Sequence, residues 1–234
     1  MFIGARLRRG AKRSRRAAGL DVRLMILLLG AAVVLSACYA KSSSRQSDSD
    51  GRGGGSASDP CVAPAGASQQ DVDPKDSAET PWKRPSGEPL TVYFENRGLS
   101  DRYWDLVRKA AEIWSRSPCV RAVAVAECPP GVNCVGVREK KRAAFSPSTD
   151  GEFSGKDSGK YRRGGTVTIY TKLMNKATDN GALATIVHEI GHALGLVHRK
   201  NKHDVMNANT DDNTDPNPDD VDFANLAAIY GARR

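Results

Sequence analysis

The chain has 234 residues, enough for one or two domains, with 35 basic and 27 acidic residues and a formal net charge of +8. Eight of the basic residues and one acid precede Cys38, so the rest of the chain holds 27 basic and 26 acidic residues and is nearly neutral. That balance excludes a basic nucleic-acid-binding stripe, and no nucleic-acid partner is expected.

The N-terminal charge belongs to a targeting pattern. Arg6, Arg8, Arg9, Lys12, Arg13, Arg15, Arg16 and Arg23 form a positive region. The run "LMILLLGAAVVL" (24–35) is apolar over 12 residues. That is short for a permanent spanning helix and suits the core of a secretory signal. It ends in "LSAC" (35–38), which resembles a bacterial lipobox. The resemblance implies a signal peptide over 1–37 and lipid attachment at Cys38. The chain is then exported and anchored on the outer face of a bacterial cytoplasmic membrane. One acyl chain binds only marginally, so stable anchoring takes more than one.

Residues 38–80 are rich in Ser, Gly, Asp and Pro and read as a flexible linker. About 40 such residues reach roughly 35 Å. Four cysteines follow Cys38: Cys61, Cys119, Cys128 and Cys134. In an exported chain an even number favours two disulfides, with three connectivities open. The short turn-rich loop "CPPGVNC" (128–134) makes Cys128–Cys134 the preferred pair. That leaves Cys61–Cys119 to staple the N-terminal segment to the domain.

Residues 81–234 have a globular composition, and the domain is expected to be a monomer. "LTVYFE" (90–95) alternates and predicts a strand. Ser100 is a candidate N-cap, with Tyr103, Val107, Ala110 and Trp114 at helical spacing and Pro118 beyond the end. "VRAVAVAE" (120–127) and "VGVRE" (135–139) read as short strands. Residues 145–165 read as a long polar loop, and "TVTIYT" (166–171) as another strand. A helix opens at Asp179 or Asn180, with Leu183, Ile186, Val187, Ile190 and Leu194 on its apolar face. A last helix starts near Asp219, buries Phe223, Leu226, Ala227 and Tyr230, and stops at Gly231.

The chemistry lies in "HEIGHALGLVH" (188–198). Residues i and i+4 share a helix face, so His188 and His192 can present ring nitrogens to one ion. A catalytic zinc takes three protein ligands and keeps one open position. Gly195 lets the backbone leave the helix in a left-handed conformation, and the turn can return His198 to the same metal. Glu189 sits about 100° around the axis from His188. It is placed to act as general base on a zinc-activated water that attacks a peptide carbonyl.

HExxHxxGxxH is the signature of the metzincins. The chain from about Trp82 to Gly231 resembles these metallopeptidases, and within them the matrixins. "DVMNAN" (204–209) places Met206 eight residues after His198, as in the Met-turn of the family. There the methionine packs beneath the zinc histidines without binding the metal. The resemblance implies an α+β fold: a twisted, mostly parallel sheet with an antiparallel edge strand, a zinc-binding active-site helix, a Met-turn and a C-terminal helix. It implies one catalytic zinc and a protein or peptide substrate lying extended along the edge strand.

Several residues depart from the family. Arg199 stands where matrixins usually have serine, and 207–209 lack the usual proline and tyrosine. The 145–165 loop has no histidine for a second zinc. "DDNTDPNPDD" (211–220) has alternate carboxylates that could take calcium, but reads better as a solvated loop and helix cap. Cys61 only faintly matches the segment whose cysteine restrains latent matrixins, and the disulfide reading is preferred. His203 reads as a surface histidine. The competing reading is a non-catalytic surface lipoprotein that binds a partner through this scaffold. It predicts a damaged glutamate or third histidine, and both are intact. Cleavage of cell-wall peptides would share the mechanism.

Overall fold

The computed structural model describes residues 59–67 and 79–231. The apolar run at 24–35, Cys38 and most of the expected linker lie outside the described residues.

Five strands form one sheet in the order β2-β1-β3-β5-β4. They are β1 (Leu90–Asn96), β2 (Val120–Val125), β3 (Cys134–Lys140), β4 (Gly151–Ser158) and β5 (Tyr161–Tyr170). β1 pairs in parallel with β2 and β3, and β3 in parallel with β5. β4 alone is antiparallel, and it forms an edge. The expected α+β, mostly parallel arrangement is therefore present. Leu90, Val92 and Phe94 alternate into the core from β1, as the sequence pattern required.

β4 corrects the reading of 145–165 as loop. "GEFSGKDS" carries charge and glycine where strands usually carry branched or aromatic residues, and most of it is exposed. An edge strand takes its order from the neighbouring backbone, here from Gly151↔Ile169 to Ser158↔Tyr161. Its polar side chains also discourage pairing with another sheet.

Helix α1 (Asp101–Trp114) buries Tyr103, Leu106, Val107, Ala110, Ala111 and Trp114 against the sheet and the later helices. Ser100 is its N-cap by position, but its hydroxyl donates to Glu139 and caps no helix N–H. A short helix, α2 (Thr171–Met174), was not expected. α3 (Asp179–Ala193) is the histidine-bearing helix, and α4 (Asp220–Tyr230) closes the chain. Each large side chain buried in this core contributes about 1.5–3 kcal/mol.

Gly231 ends α4 without the left-handed turn expected of a stop glycine. Its φ is −64°. Space selects glycine there, because a Cβ would come within 2.5 Å of the Ala227 carbonyl.

Both preferred disulfides form, Cys61–Cys119 and Cys128–Cys134. Cys61–Cys119 joins residues 58 apart. In the chain-entropy picture such a loop is worth about 4 kcal/mol. It fastens residues 59–67, part of the stretch read as linker, to the start of β2. Asp59 reinforces the tie through an ion pair with Arg84, whose Nη1 also donates to the Tyr230 carbonyl. Cys61 is therefore unavailable as a thiol ligand to a metal.

Candidate active site

The site is built on α3, and both ends of that helix are fixed by other parts of the chain. The helix opens at Asp179, the first of the two starts expected, and its cap is Thr178. Its hydroxyl accepts from the Gly181 N–H, and Asp212 accepts from the Thr178 N–H and hydroxyl. At the C-terminus, helix geometry leaves the last carbonyls without intrahelical partners. Arg162 donates to His192 O, the Trp82 indole to Ala193 O, and the Tyr230 hydroxyl to Leu194 O. The Trp114 indole holds Val187 O in the middle of the helix. These four side chains were not picked out as supports of the site. Their only sequence signal was large or polar character within the core stretch.

The chain then leaves the helix as the glycine required. Gly195 has φ +103°, Gly195 N–H donates to His192 O and Leu196 N–H to Gly191 O. This pair of bonds is a Schellman closure. The turn brings His198 back beside His188 and His192.

His188 Nδ1 lies 2.7 Å from Val205 O, and His192 Nδ1 lies 2.8 Å from Leu196 O. A carbonyl oxygen only accepts, so each Nδ1 carries the proton and donates it. Each Nε2 then presents a lone pair. His192 Nε2 stands 3.0 Å from that of His188 and 3.1 Å from that of His198. Burial, followed by the charge of His192, pushes the His188 pKa well below its ordinary value, so its ring stays neutral. Lone pairs held this close repel unless a cation lies among them. Zinc ligands at about 2.1 Å in a tetrahedron stand roughly 3.4 Å apart, so three imidazole nitrogens at this spacing fit zinc. His188, His192 and His198 could thus hold one metal ion.

Met206 is fully buried, and its Sδ lies against Gly191 of α3. A Cβ on Gly191 would collide with its Sδ, so the helix must carry glycine there. Asp204 accepts from the Met206 N–H, and the Arg199 N–H donates to Met206 O. The Arg199 side chain is buried among Asp204, Asp219 and Asp222. Asp219 and Asp222 are also the two halves of the capping box of α4. Arg199 therefore ties the third histidine, the Met-turn and the last helix together. Burial and then the charge of Asp204 raise the Asp222 carboxyl to about 7, and burial also raises Asp204.

Glu189 lies beside the histidines and is nearly buried. Burial, then the charge of Asp150, pushes its carboxyl up to about 8, while a hydrogen bond from the Phe153 N–H pulls the other way. Gly151 makes room for it: a Cβ there would meet Thr185 Cγ2 at 2.8 Å and Glu189 Cγ at 2.9 Å. Gly151→Ala should shift Glu189 and lower any activity that depends on it by more than tenfold, with folding intact by circular dichroism.

The histidines and Glu189 open into a cleft of about 540 Å³. One wall is the start of edge strand β4, with Gly151, Glu152 and Phe153; another is Ala208, Asn209 and Thr210 after the Met-turn. His203 is exposed and does not line this cleft. The calcium expectation for 211–220 finds no support. Asp212 holds Thr178, the cap of α3, Asp211 and Asp215 close local turns, and Asp219 caps α4. The carboxylates that do converge, Asp204, Asp219 and Asp222, already surround Arg199.

Among curated proteins no match is found. Among solved structures the chain is similar to an archaemetzincin from Methanopyrus kandleri, at 15% identity and a TM-score of 0.44, over 62% of this chain and 97% of that one. Residues 40–231 match the family model described as matrixin. That match spans most of the sequence and takes in every element that shapes the cleft, so the chain belongs to the matrixin family of zinc metallopeptidases.

Proposed function

We propose that this protein is a zinc-dependent endopeptidase, exported and anchored by lipid at Cys38, with a signal peptide over 1–37, a linker that starts at 38 and is tied back to the domain at Cys61, and the peptidase domain over 81–234. The observation that carries the reading is the meeting of three imidazole Nε2 atoms beside Glu189, in a cleft walled by a sheet edge. His188, His192 and His198 hold the metal. Zinc, when bound there, acidifies water and polarises a carbonyl as a Lewis acid.

The remaining steps belong to the chain's own groups. The exposed edge of β4 pairs with an extended peptide and sets its direction across the cleft. Glu189, steadied by the Phe153 N–H, takes a proton from the attacking water and delivers it to the leaving amide nitrogen. A cation among the histidines favours the carboxylate form of Glu189 and so readies it as a base. Val205 O and Leu196 O orient two of the rings, and Met206 packs against the helix that carries them.

The test uses the full-length chain in detergent and a mixed peptide library. Chelation should remove cleavage, and one equivalent of zinc should restore it. Cleavage that survives metal removal, measured by mass spectrometry of the products, would reject the reading.

A further inference from the structure

Besides Glu189, three carboxylates line the cleft: Glu79, Asp150 and Glu152. Among the described lining residues there is no lysine or arginine. The three carboxylates differ in their surroundings. Glu79 is compensated, because its Oε2 lies 2.5 Å from Nη2 of buried Arg162. Asp150 and Glu152 have neutral partners. Asp150 Oδ2 accepts from the Thr185 hydroxyl at 3.0 Å, and Glu152 Oε2 accepts from the Tyr170 hydroxyl at 2.5 Å. A neutral donor fixes a carboxylate in place and leaves its charge uncancelled.

Thr185 also sets the shape of the pocket. It is buried one helical turn before His188, and its hydroxyl lies 3.3 Å from that of Thr210 on the opposite wall. Asp150, Thr185 and Thr210 thus make a polar chain that bridges the two walls next to Glu189. The Asp150 backbone is held too, since its carbonyl accepts from the Tyr170 N–H. An apolar substrate side chain entering here would strip water from a fixed carboxylate and gain nothing in return. A lysine or arginine side chain would offer both charge and donors. Arg199, Lys200 and Lys202 line a separate cavity that shares only Ala208 and Asn209 with the cleft.

From this we infer that the protein cuts cationic peptides, with Asp150 and Glu152 receiving a lysine or arginine side chain adjacent to the scissile bond. The inference rests on the peptidase reading for the cleavage but not for the binding. Two measurements on the zinc-loaded full-length chain separate them. The first is the ratio of kcat/KM for a hexapeptide with lysine at one position to that for its norleucine counterpart. It should exceed ten in wild type and fall at least tenfold in Asp150→Asn/Glu152→Gln, with weaker preference at high salt. The second is fluorescence anisotropy of fluorescein-labelled lysine and glutamate hexapeptides on the Glu189→Gln chain, where the lysine peptide should bind at least tenfold more tightly. If nothing is cut but the binding preference holds, the peptidase reading falls and the selection of cationic peptides by Asp150 and Glu152 stands. If the binding shows no charge preference, or the ratio survives the double substitution, the inference is overturned while the peptidase reading is untouched.

Discussion

Glu189→Gln is expected to lower peptide cleavage by about 10²- to 10⁴-fold while zinc content stays at one per chain. Glutamine has the shape of the protonated glutamate and can still accept from the Phe153 N–H. It cannot take a proton from water at neutral pH. Nothing else in the cleft substitutes for it: Asp150 and Glu152 are held by Thr185 and Tyr170, and neither has the Phe153 contact that steadies Glu189. The measurement is the initial rate on a fluorogenic peptide, read alongside zinc by atomic emission. A variant that keeps both zinc and rate would mean that another group moves the proton. A wild-type chain that binds zinc and cuts nothing would favour a partner-binding role for the scaffold.

Arg199→Met is expected to cost about 3–5 kcal/mol at pH 8, because it leaves Asp204 and Asp222 buried without their counter-charge. The loss should be smaller at pH 5. The sign follows from the wild-type cluster. Asp222 is raised to about 7 in the folded chain against 3.8 as its ordinary value, so between those values the folded state holds a proton that the unfolded chain releases. This group's contribution is full below about 4 and is lost as pH rises toward 7. Without the arginine, both buried acids rise further, and acid pH relieves more of the damage. Asp219, lowered chiefly by its bond to Arg199, loses that support as well. Urea unfolding at the two pH values checks this. Zinc affinity should also fall by about 10- to 100-fold, since Asp204 orders the Met-turn whose Val205 carbonyl orients His188. Equal losses at both pH values would mean that the cluster is already protonated in wild type.

The parts read correctly from the sequence are those with a local code. The helical spacing of His188 and His192 and the glycine exit at Gly195 are fixed by a few adjacent residues. So are the alternation in β1 and the short Cys128–Cys134 loop. The parts that were missed depend on distant partners. Strand β4 has no strand-like pattern of its own, and β5 supplies its order. Arg199 stood out only as a departure from its relatives, because its three carboxylates lie up to 23 residues further on. Trp82, Arg162 and Tyr230 meet at the end of α3 from three separate stretches, and no periodicity marks a side chain that caps a helix it does not belong to.

The Cys61–Cys119 bond has a topological consequence for how the protein could be shed. Residues 61–119 form a closed covalent ring with β1 and α1 inside it. A single cut anywhere in that ring opens it but separates nothing, since the two pieces remain joined through sulfur. A nicked chain would migrate whole on a non-reducing gel and split only after thiol is added. To free the catalytic part from whatever holds its N-terminus, a protease must cut before Cys61, or a reductant must act with it.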